Sequence, residues 1–155
     1  MNETMTTDEK LFILKDIYQN IMPFNRLLGI EITSLTQKNV QVRIDMRDEL
    51  IGNFVHGMLH GGVISAVLDL TGGILVSAEL LNQLAGESDE EIARRMARIG
   101  TIDLRVDYLR AGKGDYFLST GSVLRQGGRM SVVRTEMYND SNSLIAAGTA
   151  TYQVG

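Results

Sequence analysis

Residues 56–62 read His-Gly-Met-Leu-His-Gly-Gly and run directly into an apolar segment, residues 63–84. The composition of that segment predicts a long helix over about residues 62–84 that is apolar nearly all round and therefore buried on most sides. Glycines at a helix start leave backbone N–H groups uncovered, and the positive end of a helix attracts negative charge. An acid, Asp69, lies inside the apolar segment, where a carboxylate is costly to bury unless it has a function. An anion-binding helix start together with a buried acid supplies the minimum parts for hydrolysis of an acyl group.

The composition narrows the class of protein. The chain has 155 residues, of which 44% are hydrophobic and 22% charged, and this predicts one globular domain over residues 1–155. Its net charge of −4 provides no basic field to recruit nucleic acid. It has no cysteine, so disulfides, thiolate metal sites and a cysteine nucleophile are excluded. With only His56 and His60, a histidine-rich metal site is not expected either, and we predict neither a metal nor a cofactor.

The two candidate targeting segments do not indicate a secreted or membrane protein. The N-terminus, MNETMTTDEK, is polar and acidic, unlike the basic and then apolar pattern of a secretory signal. The apolar segment is not interpreted as membrane-spanning, because polar and charged side chains interrupt it: Ser65, Asp69, Thr71, Ser77 and Glu79. We therefore expect a cytoplasmic protein with no membrane partner.

The chain before the apolar segment predicts one helix and two strands. Residues 6–9, Thr-Thr-Asp-Glu, have the spacing of a capping box and are followed by apolar residues on one helical stripe. These signals predict a helix over residues 7–21, within an N-terminal helix and lead-in of residues 1–24. Residues 27–36 and 39–47 are then predicted as strands, the second with alternating apolar and polar side chains.

The chain after the apolar segment predicts a short helix and four strands. In residues 86–98 the acidic side chains come first and the arginines last, the order that a helix dipole favours, with Ser88 as the N-cap. We interpret this segment as an inserted, exposed helix. Four alternating strands joined by short turns are predicted over residues 100–110, 115–125, 129–138 and 143–153. The fold class is therefore α+β, with an antiparallel sheet whose one face covers the long helix.

This order of elements, with His-Gly-Gly opening the long helix, resembles the hotdog-fold thioesterases, and in particular the acyl-CoA thioesterases of the phenylacetate-degradation type. The matching residues run from Asn53 to Asp69 and resume at residues 100–111, and the resemblance covers roughly residues 25–155. It implies a six-stranded antiparallel sheet wrapped around one long central helix. It also implies hydrolysis of acyl-CoA thioesters by a homodimer, and dimers of this family commonly pair into tetramers.

The resemblance implies a role for each matching residue. Asp69 acts as general base on water or as nucleophile, and the Gly61 N–H of the other subunit polarises the thioester carbonyl. Thr101, on the strand after the helix, holds the lytic water. Because the backbone at Gly61 does the chemistry, the His60 side chain is read as a satisfied core histidine that orients the loop. An asparagine before the motif assists the Gly61 N–H. Asn53 stands seven residues before His60 instead of the usual six, so it takes this role only if the loop bulges.

The implied substrate requires a pocket and local cations. Coenzyme A carries several phosphate charges, which favour arginine and lysine partners. Four candidates lie at strand ends or turns, where they either cluster near one rim or stand as scattered solubilising charges: Arg110, Lys113, Arg125 and Arg129. Gly62, Met58 and Leu59 are expected to line the substrate pocket beside the helix start.

Three other functions stay open from the sequence. One is a dehydratase or hydratase on the same fold, against which the position of the acid on the helix argues. Another is a non-catalytic acyl-CoA-binding or regulatory module, which binds ligand tightly without turnover. The third is a scaffold, in which Asp69 is satisfied by a backbone N–H or by Thr71. In that reading His60 is a core histidine and Thr101 is only a residue that favours strands.

Overall fold

The computed structural model of this chain describes residues 4–155, so residues 1–3 of the polar N-terminus lie outside the described part. Helix α1, Thr7–Asp16, begins where the capping box predicts. The Thr6 hydroxyl oxygen accepts from the Glu9 N–H at 3.2 Å, and the Glu9 carboxylate accepts from the Thr6 N–H at 2.7 Å. The helix continues as a π-helical turn, Ile17–Ile21, so the predicted N-terminal helix is confirmed.

A second short helix, α2 (Pro23–Leu28), occupies the start of the segment predicted as the first strand. Proline fits the first helical position because no partner for its missing N–H is needed there and its φ is already helical. The left-handed Gly29, with a φ of 73°, ends the helix, and the Arg47 guanidinium donates to the last carbonyl of α2 at 2.6 Å. The prediction of a strand over residues 27–36 is therefore wrong at its start, and strand β1 spans Glu31–Leu35.

The remaining strands complete one six-stranded antiparallel sheet, as predicted, and a separate two-stranded hairpin. In chain order these strands are β2 (Val40–Asp45), β3 (Ile51–Asn53), β4 (Met58–Leu59), β5 (Gly100–Tyr108), β6 (Tyr116–Gln126), β7 (Met130–Asn139) and β8 (Leu144–Gln153). The sheet order is β1-β2-β6-β7-β8-β5, and β3 pairs with β4 after a 3₁₀ turn, Asp48–Leu50. Strand β5 therefore has one edge that is unpaired within residues 4–155.

Helix α3, Gly61–Gln83, packs against the inner face of the sheet. Its second half is enclosed, since every residue from Leu70 to Ala78 is buried, as the apolar pattern predicts. Its first half keeps one open stripe, on which Gly62, Ser65 and Asp69 follow at helical spacing. Asp69 is therefore half-buried, not enclosed, because the sheet does not cover that stripe. By length and composition α3 also resembles a membrane-spanning helix, but 72% of its most apolar window is buried within the fold.

Two glycines within α3 mark the places where tyrosine hydroxyls approach the helix. A Cβ at Gly72 would collide with the hydroxyl of Tyr152, which comes from β8. A Cβ at Gly73 would lie 3.2 Å from the hydroxyl of Tyr18, which comes from the π-helical turn. The pair therefore admits two tyrosine side chains against the helix, one turn beyond Asp69.

The inserted segment forms helix α4, Asp89–Met96, whose N-cap is the Ser88 hydroxyl, which accepts a backbone N–H at 3.2 Å. The prediction of an exposed helix holds only in part, because Glu90, Ala93 and Arg94 are exposed while the other residues of α4 are half-buried or buried. Ile92 is only 7% exposed and packs in a small cluster with Leu14 and Leu81. Helix α4 thus docks on α1 and on the end of α3 that lies opposite the helix start.

Candidate functional site

The start of α3 leaves one backbone N–H free. His60 is the N-cap, because its Nδ1 accepts from the Gly62 N–H at 2.7 Å, so the proton of the neutral ring lies on Nε2. The N–H groups of Val63 and Ile64 both donate to the His60 carbonyl. The Gly61 N–H has no acceptor in the part of the chain that the structure describes. Gly61, the predicted oxyanion donor, is thus the residue of the first turn whose N–H stays available, whereas the N–H of Gly62 is taken by the cap.

The exposed position of His60 shows that the alternative of a core histidine is wrong. We expect His60→Ala to lower the free energy of unfolding by about 1 kcal/mol, the usual cost of losing a side-chain N-cap. Chemical denaturation followed by circular dichroism measures this change. The matched control is His56→Ala, because His56 is exposed and its side chain makes no hydrogen bond within residues 4–155. Equal losses in the two variants would contradict the capping role.

Two hydroxyls hold the carbonyl of the same first-turn residue. The Tyr108 hydroxyl, from β5, donates to the Gly61 carbonyl at 3.1 Å, and the Ser65 hydroxyl donates to it at 3.1 Å. The two hydroxyls also contact each other. A Cβ on Gly61 would lie 3.3 Å from the Tyr108 ring, which therefore packs over the helix start. Neither residue is predicted from the sequence as part of the site, because the approach of Tyr108 depends on how β5 packs against α3.

Asn53 lies beside the helix start in an open depression. The lining of this depression includes Gly52, Asn53, Phe54, Met58, His60 and Gly61. The β3–β4 pairing shifts register between Ile51 and Asn53, on the N-terminal side of the asparagine, so Asn53 still stands seven residues before His60. The Asn53 carboxamide oxygen accepts from the His56 N–H at 3.3 Å. Its amide nitrogen has no acceptor among the described residues, so it is free to donate into the depression.

The three predicted pocket residues differ in how far they are exposed to the depression. Met58 is half-buried and lines the depression. Leu59 borders it too, but its side chain is only 5% exposed and belongs to the hydrophobic core, so it supports the wall from behind. Gly62 is exposed, yet its N–H is already bonded to the His60 ring.

Two hydroxyls converge on one carboxylate oxygen of Asp69. Thr101 Oγ1 donates to Oδ1 at 2.8 Å, and the Tyr152 hydroxyl donates to the same oxygen at 3.0 Å. The other oxygen, Oδ2, receives no hydrogen bond from residues 4–155. The structure thus brings the predicted Thr101 to Asp69, and it adds Tyr152, which sequence analysis missed. Thr71 donates elsewhere, so the alternative in which it satisfies the carboxylate is wrong.

Tyr152 stays a hydrogen-bond donor because its hydroxyl is hard to ionise. Burial is the larger cause and the nearby negative charge of Asp69 the second; together they raise the pKa of Tyr152 far above its ordinary value of 10.0. The hydroxyl therefore remains protonated at neutral pH. Burial also raises the pKa of Tyr18, whose hydroxyl lies 3.2 Å from Ser77 Oγ.

Asp69 opens onto a cleft between α3, the N-terminal helices and β5. The lining of this cleft includes Tyr18, Met22, Asn25, Gly73, Ile99 and Thr101. A cleft of apolar and aromatic side chains next to a carboxylate can hold an apolar group beside a base. No set of three side chains suited to hold a metal ion occurs within residues 4–155.

Gly61 and Asp69 lie on one helix but well apart along its axis. They are eight residues apart in sequence. At the rise of an α-helix this is about 12 Å along the axis. An oxyanion donor must lie within about 3 Å of the carbonyl oxygen, and a general base within about 3 Å of the atom whose proton it removes. One chain therefore supplies two separate half-sites, an N–H at Gly61 and a carboxylate at Asp69.

The four predicted phosphate-binding cations are all exposed and form two groups within the chain. Arg110 and Lys113 flank Gly112 in the turn after β5, and the Gly112 carbonyl accepts from a backbone N–H of β4 at 2.9 Å. Arg125 and Arg129 lie at the opposite end of β6. That strand has 11 residues, so its ends are roughly 30 Å apart. A cluster of all four at one rim is therefore not formed within one chain.

Comparisons with known proteins identify similar chains. Residues 56–146 match the family model of the thioesterase superfamily. The sequence is 38% identical, over 155 residues and 100% of both chains, to an Escherichia coli protein named medium/long-chain acyl-CoA thioesterase YigI. A Shewanella oneidensis crystal structure, of a protein related to the thioesterase superfamily, has a TM-score of 0.94 at 42% identity and covers 99% of this chain and 100% of that chain. The zebra fish thioesterase superfamily member 2 has a TM-score of 0.73 at 22% identity over 98% of this chain and 100% of its own, a likeness of fold alone.

Proposed function

Because this chain belongs to the thioesterase superfamily, as its resemblance to hotdog-fold thioesterases implies, we propose that it hydrolyses acyl-CoA thioesters to a free acid and coenzyme A. The observation that carries this proposal is the Asp69 carboxylate, which is bonded at one oxygen, free of protein donors at the other within residues 4–155, and open to a cleft. Such a carboxylate suits general-base or nucleophilic attack on an acyl carbon. The name of the Escherichia coli relative supports the same substrate class.

The proposed site is shared between two copies of the chain. The Gly61 N–H and the Asp69 carboxylate of one chain are about 12 Å apart along the helix. We therefore propose that a thioester carbonyl bound at Gly61 of one subunit lies next to Asp69 of the other subunit. The free edge of β5 offers a surface for this pairing, since edge strands readily add another strand. Ile102 and Tyr108 on β5 are each 54% exposed, which leaves apolar surface for a second copy. A homodimer, able to pair again into a tetramer, is therefore part of the proposal.

In the proposed reaction the Gly61 N–H and the Asn53 amide nitrogen donate to the thioester carbonyl oxygen. The free oxygen of Asp69 removes a proton from water while the water oxygen forms a bond to the acyl carbon. The carbon–sulfur bond then breaks, and the proton held by Asp69 passes to the leaving thiolate. In the alternative, the same Asp69 oxygen attacks the acyl carbon, the carbon–sulfur bond breaks, and the coenzyme A thiolate leaves. Water then hydrolyses the resulting anhydride to the free acid and protonated Asp69, whose proton passes to the thiolate. Both routes use water as the co-reactant, so the proposal requires no cofactor.

Thr101 takes part in this proposal through both its proton and its oxygen. The hydroxyl proton is donated to the Asp69 carboxylate. The lone pairs of Oγ1 remain able to accept from a water molecule in the cleft. Thr101 is therefore proposed to tie the lytic water to the carboxylate that activates it.

The phosphates of coenzyme A are proposed to bind cations from both groups. Arg110 and Lys113 lie beside the hairpin that carries Asn53, near the oxyanion half-site. Arg129 lies at the sheet end where β5 begins, since its carbonyl accepts from the Val154 N–H at 2.8 Å. In a shared site the two groups come from different subunits and approach one rim.

Thiol release from short-, medium- and long-chain acyl-CoA thioesters, with phenylacetyl- and benzoyl-CoA alongside, tests the proposed function. We expect turnover of the panel, fastest with medium and long chains, in line with the name of the Escherichia coli relative. Tight binding without thiol release would instead indicate a non-catalytic acyl-CoA-binding module. Neither binding nor turnover, in protein shown to be folded, would contradict the proposed function.

A further inference from the structure

Tyr152 reaches Asp69 through the gap that Gly72 leaves in α3. Its side chain is 2% exposed, and its hydroxyl donates to Asp69 Oδ1 at 3.0 Å. A Cβ at Gly72 would collide with this hydroxyl and lie 2.9 Å from Cγ2 of the fully buried Val133, so neither neighbour has room to move away. A mid-helix glycine costs about 1 kcal/mol relative to alanine. The helix is thus weakened at the one position where alanine would displace Tyr152 from the carboxylate.

Thr101 and Tyr152 hold the same carboxylate oxygen from two neighbouring strands, β5 and β8. Two donors on one oxygen fix the rotation of the carboxylate and direct its other oxygen away from them. Thr101 is exposed in the single chain, so water or substrate can compete for its hydroxyl. Tyr152 is buried, and its one hydroxyl proton is shared between Oδ1 at 3.0 Å and the Asp69 main-chain carbonyl at 2.6 Å, which anchors the tyrosine to the backbone of the residue that it orients. Tyr152 is therefore the donor that stays in place throughout a reaction.

We infer that Tyr152 is a positioning residue, which orients Asp69 so that its free oxygen faces the thioester carbon. This inference rests on the proposed function, and Tyr152 acts through Asp69. The raised pKa of Tyr152, caused first by burial and then by the charge of Asp69, is consistent with a donor that does not ionise while the enzyme works.

Steady-state kinetics of Tyr152→Phe test the inference, with Tyr138→Phe as the matched control. Tyr138 also donates its hydroxyl to a carboxylate, that of Glu136 at 2.6 Å, but it does so within β7 and away from Asp69. Phenylalanine fills the same space in both variants, and thermal melting checks that both are folded. We expect Tyr152→Phe to lower kcat about tenfold with KM nearly unchanged, because misplacement of a reacting group slows the chemical step. Tyr138→Phe is expected to match the wild type.

The outcomes separate this inference from the proposed function. Wild-type kcat in Tyr152→Phe, together with loss of activity in Asp69→Asn, would overturn the positioning role and leave the proposed function standing. Equal losses in Tyr152→Phe and Tyr138→Phe would also overturn the positioning role. If the wild type releases no thiol from any acyl-CoA, the proposed function and the positioning role fall together.

Discussion

The Asp69→Asn variant is expected to lose its thioesterase activity, with kcat lowered by about 10²–10⁴-fold, the usual contribution of a general base. Asparagine has nearly the same shape, and its carbonyl oxygen can still accept from Thr101 and Tyr152. What it lacks is the second oxygen that binds a proton or attacks the acyl carbon. Release of coenzyme A at saturating substrate, followed with a thiol reagent, measures the loss.

Glu79→Gln is the matched control for this variant. Glu79 is another half-buried acid of α3, ten residues further along the helix and outside the cleft. Its loss of charge is therefore expected to leave kcat unchanged. If Asp69→Asn retained the kcat of the wild type on a good substrate, Asp69 would be neither the base nor the nucleophile.

The Gly61→Pro variant is expected to lower kcat by about 10²–10³-fold, the usual effect of removing one oxyanion donor. Proline lacks the N–H that is free at this position, and Gly61 is the first residue of α3, where the φ of proline is already helical. The preceding His60 has an extended backbone, with φ of −62° and ψ of 134°, as the residue before a proline requires. The helix is therefore expected to persist, and thiol release measures the lost donor.

Gly61→Ala provides the comparison that isolates the N–H. Alanine keeps the N–H but adds a Cβ, which would lie 3.3 Å from the Tyr108 ring just as the Cβ of proline would. The Cβ contact is thus common to both variants, whereas only proline lacks the N–H, and thermal melting checks that the additional ring atoms of proline leave the fold intact. Equal kcat values for the two would contradict the role of Gly61 as oxyanion donor.

The elements that could be predicted are those whose signals are local. The apolar run of α3, the alternation along the four C-terminal strands and the Ser88 cap of α4 each lie within one segment of sequence. Helix α2, in contrast, could not be predicted from local signals. Pro23 is compatible with both the end of one helix and the start of another, and Arg47 supports the second choice by donating to the end of α2 from far along the chain.

The residues of the candidate site also divide into those that the sequence predicts and those that only the packing of the fold shows. Gly61 and Asp69 stay predictions from one motif of fixed spacing, and Thr101 is a prediction from the resemblance to hotdog-fold thioesterases, which places a hydroxyl residue on the strand after the helix. Tyr108 and Tyr152 could not, since each looks like an ordinary member of an alternating strand until β5 and β8 pack against α3. The Gly72–Gly73 pair signals that something approaches the helix, but nothing local says that the approaching groups are tyrosine hydroxyls.

A site shared between subunits predicts that two inactive variants restore each other. In a mixed dimer of Asp69→Asn and Gly61→Pro subunits, the intact Gly61 of the first subunit faces the intact Asp69 of the second. One of the two sites is then whole, whereas the other carries both substitutions. Within a single chain the same mixture has no intact pair.

The first measurement to make is therefore thiol release by this mixed dimer, co-expressed with two different affinity tags and purified through both. We predict about half of the wild-type activity per dimer, because a two-fold symmetric dimer has two equivalent sites and one is intact. A mixed dimer as inactive as its two parent homodimers would contradict a site in which Gly61 and Asp69 of different subunits act on one thioester.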